Sequence, residues 1–300
     1  MTYQIGIDGG GTKTECILVS PDGGIVARHI APGCNPSVTG AARSREILSD
    51  ALAALLAQAP ASGGPPVVGR TLLCMAGSPG HWRETADALA GGGRYGRVEA
   101  LRDSLAVLEA ATEGRCGIVL HAGTGSFIVA RAPDGCVHHA GALGWRLGDP
   151  AGGYEIGRLA AAAALVELQG WTPRTALAGL LCRHTGLAEP AAIVRHLYAH
   201  PEPNAYLGAF APAVVGLAET GDAAGLAVVT EASRPLLDLA ARVAERLFPG
   251  DAPADVPAFV SGRVLARPAI HAHLQARTAL TLAAVTAAPI EGVRRLLLKR

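Results

Sequence analysis

Two glycine-rich segments of the chain carry hydroxyl side chains in an arrangement that could bind phosphate. The first is Gly9-Gly10-Gly11-Thr12, with Thr14 two residues later, and the second is Gly123-Thr124-Gly125-Ser126. Backbone amides in a glycine turn can converge on an anion because no side chain keeps the anion away. Either turn alone could equally be a tight hairpin. Two such turns at matching places in the chain predict that both bind one phosphate chain.

The better-known glycine motifs do not fit these segments. Lys13 follows Thr12 rather than a glycine, so the sequence lacks the G-x-x-x-x-G-K-[ST] loop, and Gly9-Gly10-Gly11 has no third glycine at G-x-G-x-x-G spacing. Ala76-Gly77-Ser78-Pro79-Gly80 lacks the first glycine of a G-x-S-x-G nucleophile elbow. Phosphate binding by the turns themselves is the hypothesis that remains.

Hydrophobic segments on both sides of each glycine turn predict β-hairpins. Ile5-Gly6-Ile7 precedes the first turn, Ile118-Val119-Leu120 precedes the second, and a Pro-Asp-Gly turn follows each hairpin, at residues 21–23 and 133–135. A repeat of this size predicts two related lobes, each of which opens with a glycine-turn hairpin.

The remaining patterns predict strands alternating with helices, and mostly helices after residue 150. An apolar stripe over residues 47–56 predicts a helix with Thr39 as its cap. Thr172-Pro173 predicts the start of a later helix that Gly186 ends, and residues 223–247 predict a long helix. We therefore expect two α/β lobes, with a helical insertion in the second.

Composition excludes several classes of protein. The chain has 26 basic and 25 acidic residues, which leaves no electrostatic footprint for nucleic acid or an anionic membrane surface. No apolar run approaches the roughly 18 residues of a spanning helix. The six cysteines form no C-x-x-C pair, which argues against a disulfide framework or a zinc site. With no leader-like amino terminus, these features favour a cytoplasmic protein without nucleic-acid or membrane partners.

Three motifs together resemble a known family. Asp8-Gly9-Gly10-Gly11-Thr12-Lys13-Thr14, Ala122-Gly123-Thr124-Gly125-Ser126 and Leu147-Gly148-Asp149 are similar to motifs of the BadF/BadG/BcrA/BcrD-type ATPases, within which the N-acetylglucosamine kinase and bacterial glucosamine kinase branch looks closest. The resemblance covers essentially the whole chain. It implies an α/β fold of the two-lobed, actin-like (ribonuclease H-like) type, in which duplicated lobes hold ATP and a sugar in the cleft between them. The lobes would comprise residues 1–114 with 288–300, and residues 115–287.

The resemblance implies roles for the turns. Asp8 would serve the Mg²⁺ ion of ATP, usually through water, although it could instead cap the turn. Lys13 could equally be a solvated turn lysine. The residues implied in phosphate binding are Gly9, Gly10, Gly11, Thr12, Lys13, Gly123, Thr124, Gly125 and Ser126. Those implied in adenosine binding are Gly208, Ser261 and Gly262.

Asp103 occupies the position at which the family places its catalytic base. It follows a predicted strand and precedes a predicted helix, where a carboxylate can accept the proton of a sugar hydroxyl. The alternative is that Asp103 is the N-cap of that helix. The residues implied in sugar binding are Asn35, Asp103, Gly144, Trp145 and Asp149.

The predicted sugar loop departs from the family pattern. Relatives often read G-G-W-G and then G-D-E-G-S-G, whereas this chain has Leu143 for the tryptophan, with Trp145 two residues on, and Pro150 for the acid. Glu155 could bind a free ammonium, but it could simply lie in the first turn of a helix. Small residues (Gly144, Ala151, Gly152, Gly153) would leave room for an acetamido group. His121 is expected to be structural.

The resemblance therefore implies an ATP- and Mg²⁺-dependent hexosamine kinase that phosphorylates the sugar 6-hydroxyl, with N-acetylglucosamine favoured over glucosamine. Its relatives imply a homodimer. One alternative is an ATPase activator of a 2-hydroxyacyl-CoA dehydratase or benzoyl-CoA reductase, which would hold an iron–sulfur cluster between two subunits. The other is a sugar-sensing relative without turnover, against which the intact Asp8, Asp103 and both turns argue.

Overall fold

The computed structural model describes residues 2–60 and 65–299. The chain forms two compact units, each with its own mixed β-sheet and helices. Unit 1 comprises Met1–Arg115 and Thr286–Arg300, and unit 2 comprises Cys116–Val285. The predicted α/β class is confirmed.

Unit 1 contains a five-stranded sheet in which a hairpin meander is extended by two parallel strands. Its strands are β1 (Thr2–Gly9), β2 (Lys13–Val19), β3 (Ile25–Pro32), β4 (Val67–Met75) and β5 (Arg97–Arg102). Their order is β3-β2-β1-β4-β5. β1 is antiparallel to β2 and parallel to β4, and β4 is parallel to β5. The carboxyl ends of β1, β4 and β5 therefore lie at one edge of the sheet.

Helices cover both faces of this sheet. They are α1 (Pro36–Thr39), α2 (Ala41–Ala57), α3 (Pro79–Gly91), α4 (Asp103–Thr112) and, from the C-terminal part of the chain, α12 (Pro289–Leu298). Leu52 of α2 and Trp82 of α3 are buried with Ile7 on one face. On the other face, α12 lies so close to β1 that a β carbon at Gly6 would be 2.8 Å from Val293 Cγ1. The last helix is thus part of the unit 1 core.

Unit 2 repeats the strand order and directions of unit 1. Its strands are β6 (Gly117–Ala122), β7 (Ser126–Arg131), β8 (Val137–Gly141), β9 (Ala258–Ser261) and β10 (Leu282–Ala284), in the order β10-β9-β6-β7-β8. β6 is antiparallel to β7 and parallel to β9, as β1 is to β2 and β4. The predicted duplication of the hairpin lobe is therefore present in the fold.

A helical insertion follows β8. Unit 2 contains α5 (Gly153–Leu168), α6 (Ala176–Thr185), α7 (Pro190–Ala199), α8 (Pro203–Glu219), α9 (Ala223–Leu247), α10 (Gly262–Leu265) and α11 (Pro268–Gln275), with a short 3₁₀ turn at Pro253–Asp255. α5 and α8 cross closely, because a β carbon at Gly157 would be only 1.9 Å from Leu207 O. Phe210 and Val214 of α8 are fully buried in the unit 2 core.

Two predicted helix starts are wrong. Thr39 is the last residue of α1, and Gly40 is the N-cap of α2. α6 is capped by Thr175 rather than Thr172, because the buried carboxylate of Glu167 accepts hydrogen bonds from Thr175 N and Thr175 Oγ1.

In the part of the chain that the structure describes, no single helix is long and apolar enough to cross a membrane, although α8 and α9 pass that test together as a pair bent by 120°.

Candidate active site

The first glycine turn of unit 1 is held from one side. Cys34 N donates a hydrogen bond to Gly10 O over 3.2 Å, and Gly33 N donates to Thr12 O over 3.2 Å. A β carbon at Gly33 would be 2.2 Å from Gly11 O, so only glycine allows this approach. Nothing lies within 4 Å of a β carbon added at Gly11. The turn is therefore braced by the segment after β3, and it is open on the side of Gly11 where a β carbon would stand.

The fold brings the predicted carboxylates of unit 1 to the same sheet edge. Asp8 is the penultimate residue of β1, and Asp103 is the first residue of α4, directly after β5. Gly9 pairs with Met75 of β4, which pairs with Arg102 of β5. Asp103 is not the N-cap of α4, because that position belongs to Arg102. The capping alternative for Asp103 is therefore wrong.

Both carboxylates are electrostatically perturbed. Burial, reinforced by the like charge of Asp103, raises the pKa of Asp8 to about 7, although Lys13 opposes this shift. Burial also raises the pKa of Asp103, while the Ser104 amide, which donates to Oδ1 over 2.9 Å, acts to lower it. A buried carboxylate of raised pKa is a stronger base than an exposed one.

Lys13 and Thr14 already have partners within unit 1. Lys13 Nζ lies 2.6 Å from Glu15 Oε2, and Arg28 Nη1 lies 3.0 Å from the other oxygen of this buried carboxylate. Thr14 is buried, and its hydroxyl donates to Pro32 O over 2.9 Å. Lys13 would have to leave Glu15 to reach a phosphate, and the Thr14 hydroxyl holds β2 to β3.

Asn35 lies against the loop that follows β4. Its Oδ1 accepts a hydrogen bond from Ser37 N over 3.0 Å, and a β carbon at Gly77 would be 2.4 Å from the same oxygen. This loop is held to β1, since Ala76 N donates to Gly9 O over 2.8 Å. The buried Trp82 indole donates to Ala76 O over 2.8 Å. Asn35 is thus near the edge that carries Asp8.

The second glycine turn, in unit 2, is held by the amino end of α5. Gly153 N donates to Gly123 O over 3.0 Å and to Thr124 O over 3.2 Å, and within the turn Gly123 N donates to Gly125 O over 2.9 Å. Ser126 is 3% exposed, and its hydroxyl has no hydrogen-bond partner among the described residues.

Asp149 joins this turn to the loop between β8 and α5. Its Oδ1 accepts a hydrogen bond from Gly144 N over 3.2 Å, and its carboxylate also accepts one from the Ser126 amide. A β carbon at Gly125 would be 2.7 Å from Asp149 Oδ2. Burial raises the pKa of Asp149, and both amide bonds oppose that shift. The predicted sugar ligand is therefore also a support for the glycine turn.

The loop over residues 141–152 contains two alanines in the left-handed region, Ala142 with φ +56° and Ala151 with φ +64°. Ala151 is fully buried, and its amide donates to Ala232 O over 2.7 Å. Gly152 is buried as well, with a β carbon there only 2.8 Å from Asp149 O. The prediction that Ala151, Gly152 and Gly153 leave room for an acetamido group is therefore wrong, because these residues are packed inside unit 2. Gly144 is exposed and open.

Trp145 and Glu155 both have neighbours within unit 2. The Trp145 ring packs edge-to-face on Tyr154 at 5.1 Å, and the Arg146 guanidinium lies 5.1 Å from its centroid. Glu155 lies in the first turn of α5, and its two oxygens accept hydrogen bonds from Arg158 over 2.7 and 2.9 Å.

The predicted adenosine residues lie beside the second glycine turn. Gly262 has φ +92°, and a β carbon there would be 2.1 Å from Ala122 O at the end of β6. Gly208 lies where α8 meets the start of α5, with a β carbon 3.8 Å from Tyr154 N. Unit 2 thus brings Gly123–Ser126, Asp149, Gly208 and Ser261–Gly262 into one region.

The family model for BadF/BadG/BcrA/BcrD ATPases matches residues 5–271. The chain belongs to this family. Two curated relatives are sugar kinases. One, an N-acetylmuramic acid/N-acetylglucosamine kinase of Clostridium acetobutylicum, is 25% identical over 79% of this chain and 77% of its own length. An N-acetyl-D-glucosamine kinase of Dictyostelium discoideum is 25% identical over 81% of this chain and 79% of its own length.

Solved structures confirm the actin-like fold of this BadF-type ATPase. A candidate N-acetylglucosamine kinase from Chromobacterium violaceum superposes with a TM-score of 0.75 at 25% identity, over 99% of both chains. A ROK family glucokinase from Streptomyces griseus, in complex with glucose and AMPPNP, gives a TM-score of 0.55 at 16% identity and so shows the fold alone. The predicted family and the predicted enzyme class agree with these relatives.

One glycine that holds the first turn could not be assigned a role from the sequence motifs. Gly33 holds this turn because its backbone lies close to Gly11. The Gly-Cys-Asn-Pro run is the sequence signal that could have indicated this position.

Two cavities of unit 2, of about 650 and 400 Å³, contain none of the predicted site residues. Among residues 2–60 and 65–299, no group of three or more His, Cys, Asp or Glu side chains could hold a metal ion alone.

Proposed function

We propose that this BadF-family protein is an ATP-dependent hexosamine kinase that transfers the γ-phosphoryl group of ATP to the 6-hydroxyl of an amino sugar. The observation that carries the proposal is the half-buried Asp103 carboxylate at the end of β5, close to the like charge of Asp8 beside the first glycine turn. Its raised pKa makes it a stronger base than an ordinary carboxylate, which favours a role as general base. The kinase relatives support the same reaction.

In the proposed reaction, Asp103 accepts the proton of the sugar 6-hydroxyl as that oxygen attacks the γ-phosphorus. The new oxygen–phosphorus bond forms while the bond from phosphorus to the bridging oxygen of ADP breaks, and the electron pair leaves with ADP. Asn35, Gly144, Trp145 and Asp149 would hold the sugar together with Asp103. Positioning of this kind supplies much of the rate acceleration in phosphoryl transfer.

The residues of unit 1 fit a magnesium ion delivered with ATP. Asp8 is a half-buried carboxylate close to the like charge of Asp103, and a cation there would relieve both the cost of desolvation and the repulsion. Mg²⁺ keeps several waters and takes phosphate oxygens, so one protein carboxylate suffices. Bound Mg²⁺ would neutralise phosphate charge. We assign phosphate contacts to Gly9–Lys13 and Gly123–Ser126.

We assign adenosine to the region of Gly208 and Ser261–Gly262, beside the second glycine turn. The close approach of Gly262 to Ala122 leaves backbone rather than side chain at this surface. A backbone surface can lie close to a ribose or a phosphate, as glycines do in other nucleotide sites.

We propose that N-acetylglucosamine is preferred over glucosamine. An ammonium at C2 needs a carboxylate, but both oxygens of Glu155 are bound by Arg158, and Asp149 is bound by two backbone amides. A neutral acetamido group needs no such partner and could use the open backbone at Gly144.

The test is an ADP-release assay with ATP and, separately, N-acetylglucosamine, glucosamine, N-acetylmuramic acid and glucose. We expect sugar-dependent ADP release with the highest kcat/KM for N-acetylglucosamine, and Glu155→Gln should leave that ranking unchanged. Higher kcat/KM for glucosamine, lost in Glu155→Gln, would overturn the preference. Absence of release with every sugar would overturn the kinase proposal. Light scattering would test the homodimer that we propose as the assembly.

A further inference from the structure

His121 occupies in unit 2 the position that Asp8 occupies in unit 1. Each is the penultimate residue of the first strand of its sheet, and each of these strands leads into a glycine turn. Asp8 pairs with Glu15 on the antiparallel neighbour and with Cys74 on the parallel neighbour. His121 pairs with Phe127 and Ser261 in the same way. The repeated fold therefore puts an imidazole where unit 1 has a site carboxylate.

The ring of His121 is fixed by its neighbours. It stacks on Phe127, with ring centroids 4.7 Å apart and planes 14° from parallel. Its Nδ1 lies 3.3 Å from Ser261 Oγ, in the predicted adenosine region. Its Nε2 lies 3.6 Å from where a β carbon of Gly123 would be, so it faces the start of the second glycine turn. The ring thus connects the two segments of unit 2 to which we assign ATP.

The chemistry of this position favours a neutral donor. Burial lowers the pKa of His121 to about 4, so the ring is uncharged at neutral pH. When the Ser261 hydroxyl donates to Nδ1, the ring proton is on Nε2, the atom that faces the turn. Within the described residues, no protein group forms a hydrogen bond with Nε2. A carboxylate at this position would repel a phosphate, whereas an N–H donor attracts one.

We propose that His121 Nε2–H donates a hydrogen bond to a phosphate oxygen of ATP, so that His121 is a nucleotide-binding residue of unit 2. The inference rests on the proposed function, because it requires ATP at the second glycine turn. It assigns to His121 a ligand contact in place of the structural role expected from the sequence.

The test measures nucleotide affinity by calorimetry without sugar. His121→Phe keeps an aromatic ring beside Phe127 but has no donor, and we expect it to weaken ATP binding about tenfold or more, as loss of a hydrogen bond to a charged group does. Adenosine has no phosphate, so its dissociation constant from His121→Phe should be within about twofold of that from the wild-type protein. His138→Phe, on the exposed side of β8, is the control and should bind ATP as wild type does.

A second pair of variants keeps the test valid if His121→Phe fails to fold. His121→Gln retains an N–H donor, whereas His121→Met has a side chain of similar length without a donor. The His121→Gln variant should therefore bind ATP more tightly than the His121→Met variant. Equal affinities in this pair, or unchanged ATP affinity in folded His121→Phe, would overturn the role of His121 and leave the kinase proposal intact. Wild-type protein that binds no ATP at millimolar concentration would overturn both.

Discussion

The carboxylate of Asp149 lies against Gly125, with Oδ2 only 2.7 Å from where a β carbon of that glycine would be. The same carboxylate accepts hydrogen bonds from the Gly144 and Ser126 amides. The loop that carries the predicted sugar ligands therefore also braces the turn that carries predicted phosphate ligands. In unit 2 the Asp149 side chain therefore links the two, and we expect a change in the loop to affect the turn.

Asp149→Ala tests this coupling. Because it removes two charge-assisted backbone hydrogen bonds at the turn as well as a sugar contact, we expect the KM for ATP and the KM for sugar each to rise about tenfold. Steady-state kinetics with either substrate varied would measure both. Glu155→Gln, in the first turn of α5, should change neither constant. A rise confined to the sugar KM would mean that Asp149 does not support the turn.

Asp103→Asn tests the general base. Asparagine keeps the shape and can still accept the Ser104 amide, but it cannot take a proton. We expect kcat to fall about 10²- to 10⁴-fold while the sugar dissociation constant stays within a few fold. Asp87→Asn on the exposed side of α3 should retain full turnover. Near-normal kcat in Asp103→Asn would remove Asp103 from the mechanism.

Gly262→Ala tests the close contact at the predicted adenosine region. Both Gly262 and Gly135 have a positive φ, at +92° and +86°, but a β carbon has no neighbour within 4 Å at Gly135 and lies 2.1 Å from Ala122 O at Gly262. Gly135→Ala should cost about 1–2 kcal/mol of unfolding free energy, the left-handed penalty alone. Gly262→Ala should cost clearly more and weaken ATP binding. Equal denaturation midpoints would contradict the contact.

Ala142→Gly and Ala151→Gly test the backbone strain of the sugar loop. Both alanines have positive φ, which costs an alanine about 1–2 kcal/mol more than a glycine. Ala142 is exposed, so Ala142→Gly should stabilise the protein by about 1 kcal/mol. Ala151 is fully buried, so loss of its methyl group, worth about 0.8 kcal/mol, should offset most of the gain. Urea denaturation of the three proteins would show whether Ala142→Gly is the more stable variant.

Acidification should destabilise the protein through His121. Its folded pKa of about 4 is below the ordinary value of 6.5, so the folded state binds fewer protons than the unfolded state between these values, and stability falls as pH decreases through 6.5. Between pH 7.5 and pH 5 the loss from this group should be about 2 kcal/mol. His121→Phe should lose about that much less than wild type over the same range. Parallel losses in the two proteins would show that the pKa of His121 is not lowered in the folded state.

The sequence allowed prediction of features that depend on local pattern. The hairpins, the end of α6 at Gly186 and the bounds of α9 follow from periodicity and capping, and the structure confirms them. Asp8 and Asp103 could be expected near each other because parallel strands end at one edge. The start of α6 could not be predicted in this way. Its N-cap, Thr175, forms a hydrogen bond with Glu167, which is a buried residue of another helix. The requirement for Gly33 also depends on a tertiary approach that no local pattern records.

The packing of α12 against β1 bears on how the chain folds as it is made. Unit 2 is one continuous stretch, Cys116–Val285, so all of its core has been synthesised before residue 286 is added. Unit 1 must wait for Ile290, Val293 and Leu297, which bury Ile17 and Leu72 on the face that α12 covers. On the ribosome, the second unit can therefore reach its native core first, while the first translated strands still expose one apolar face.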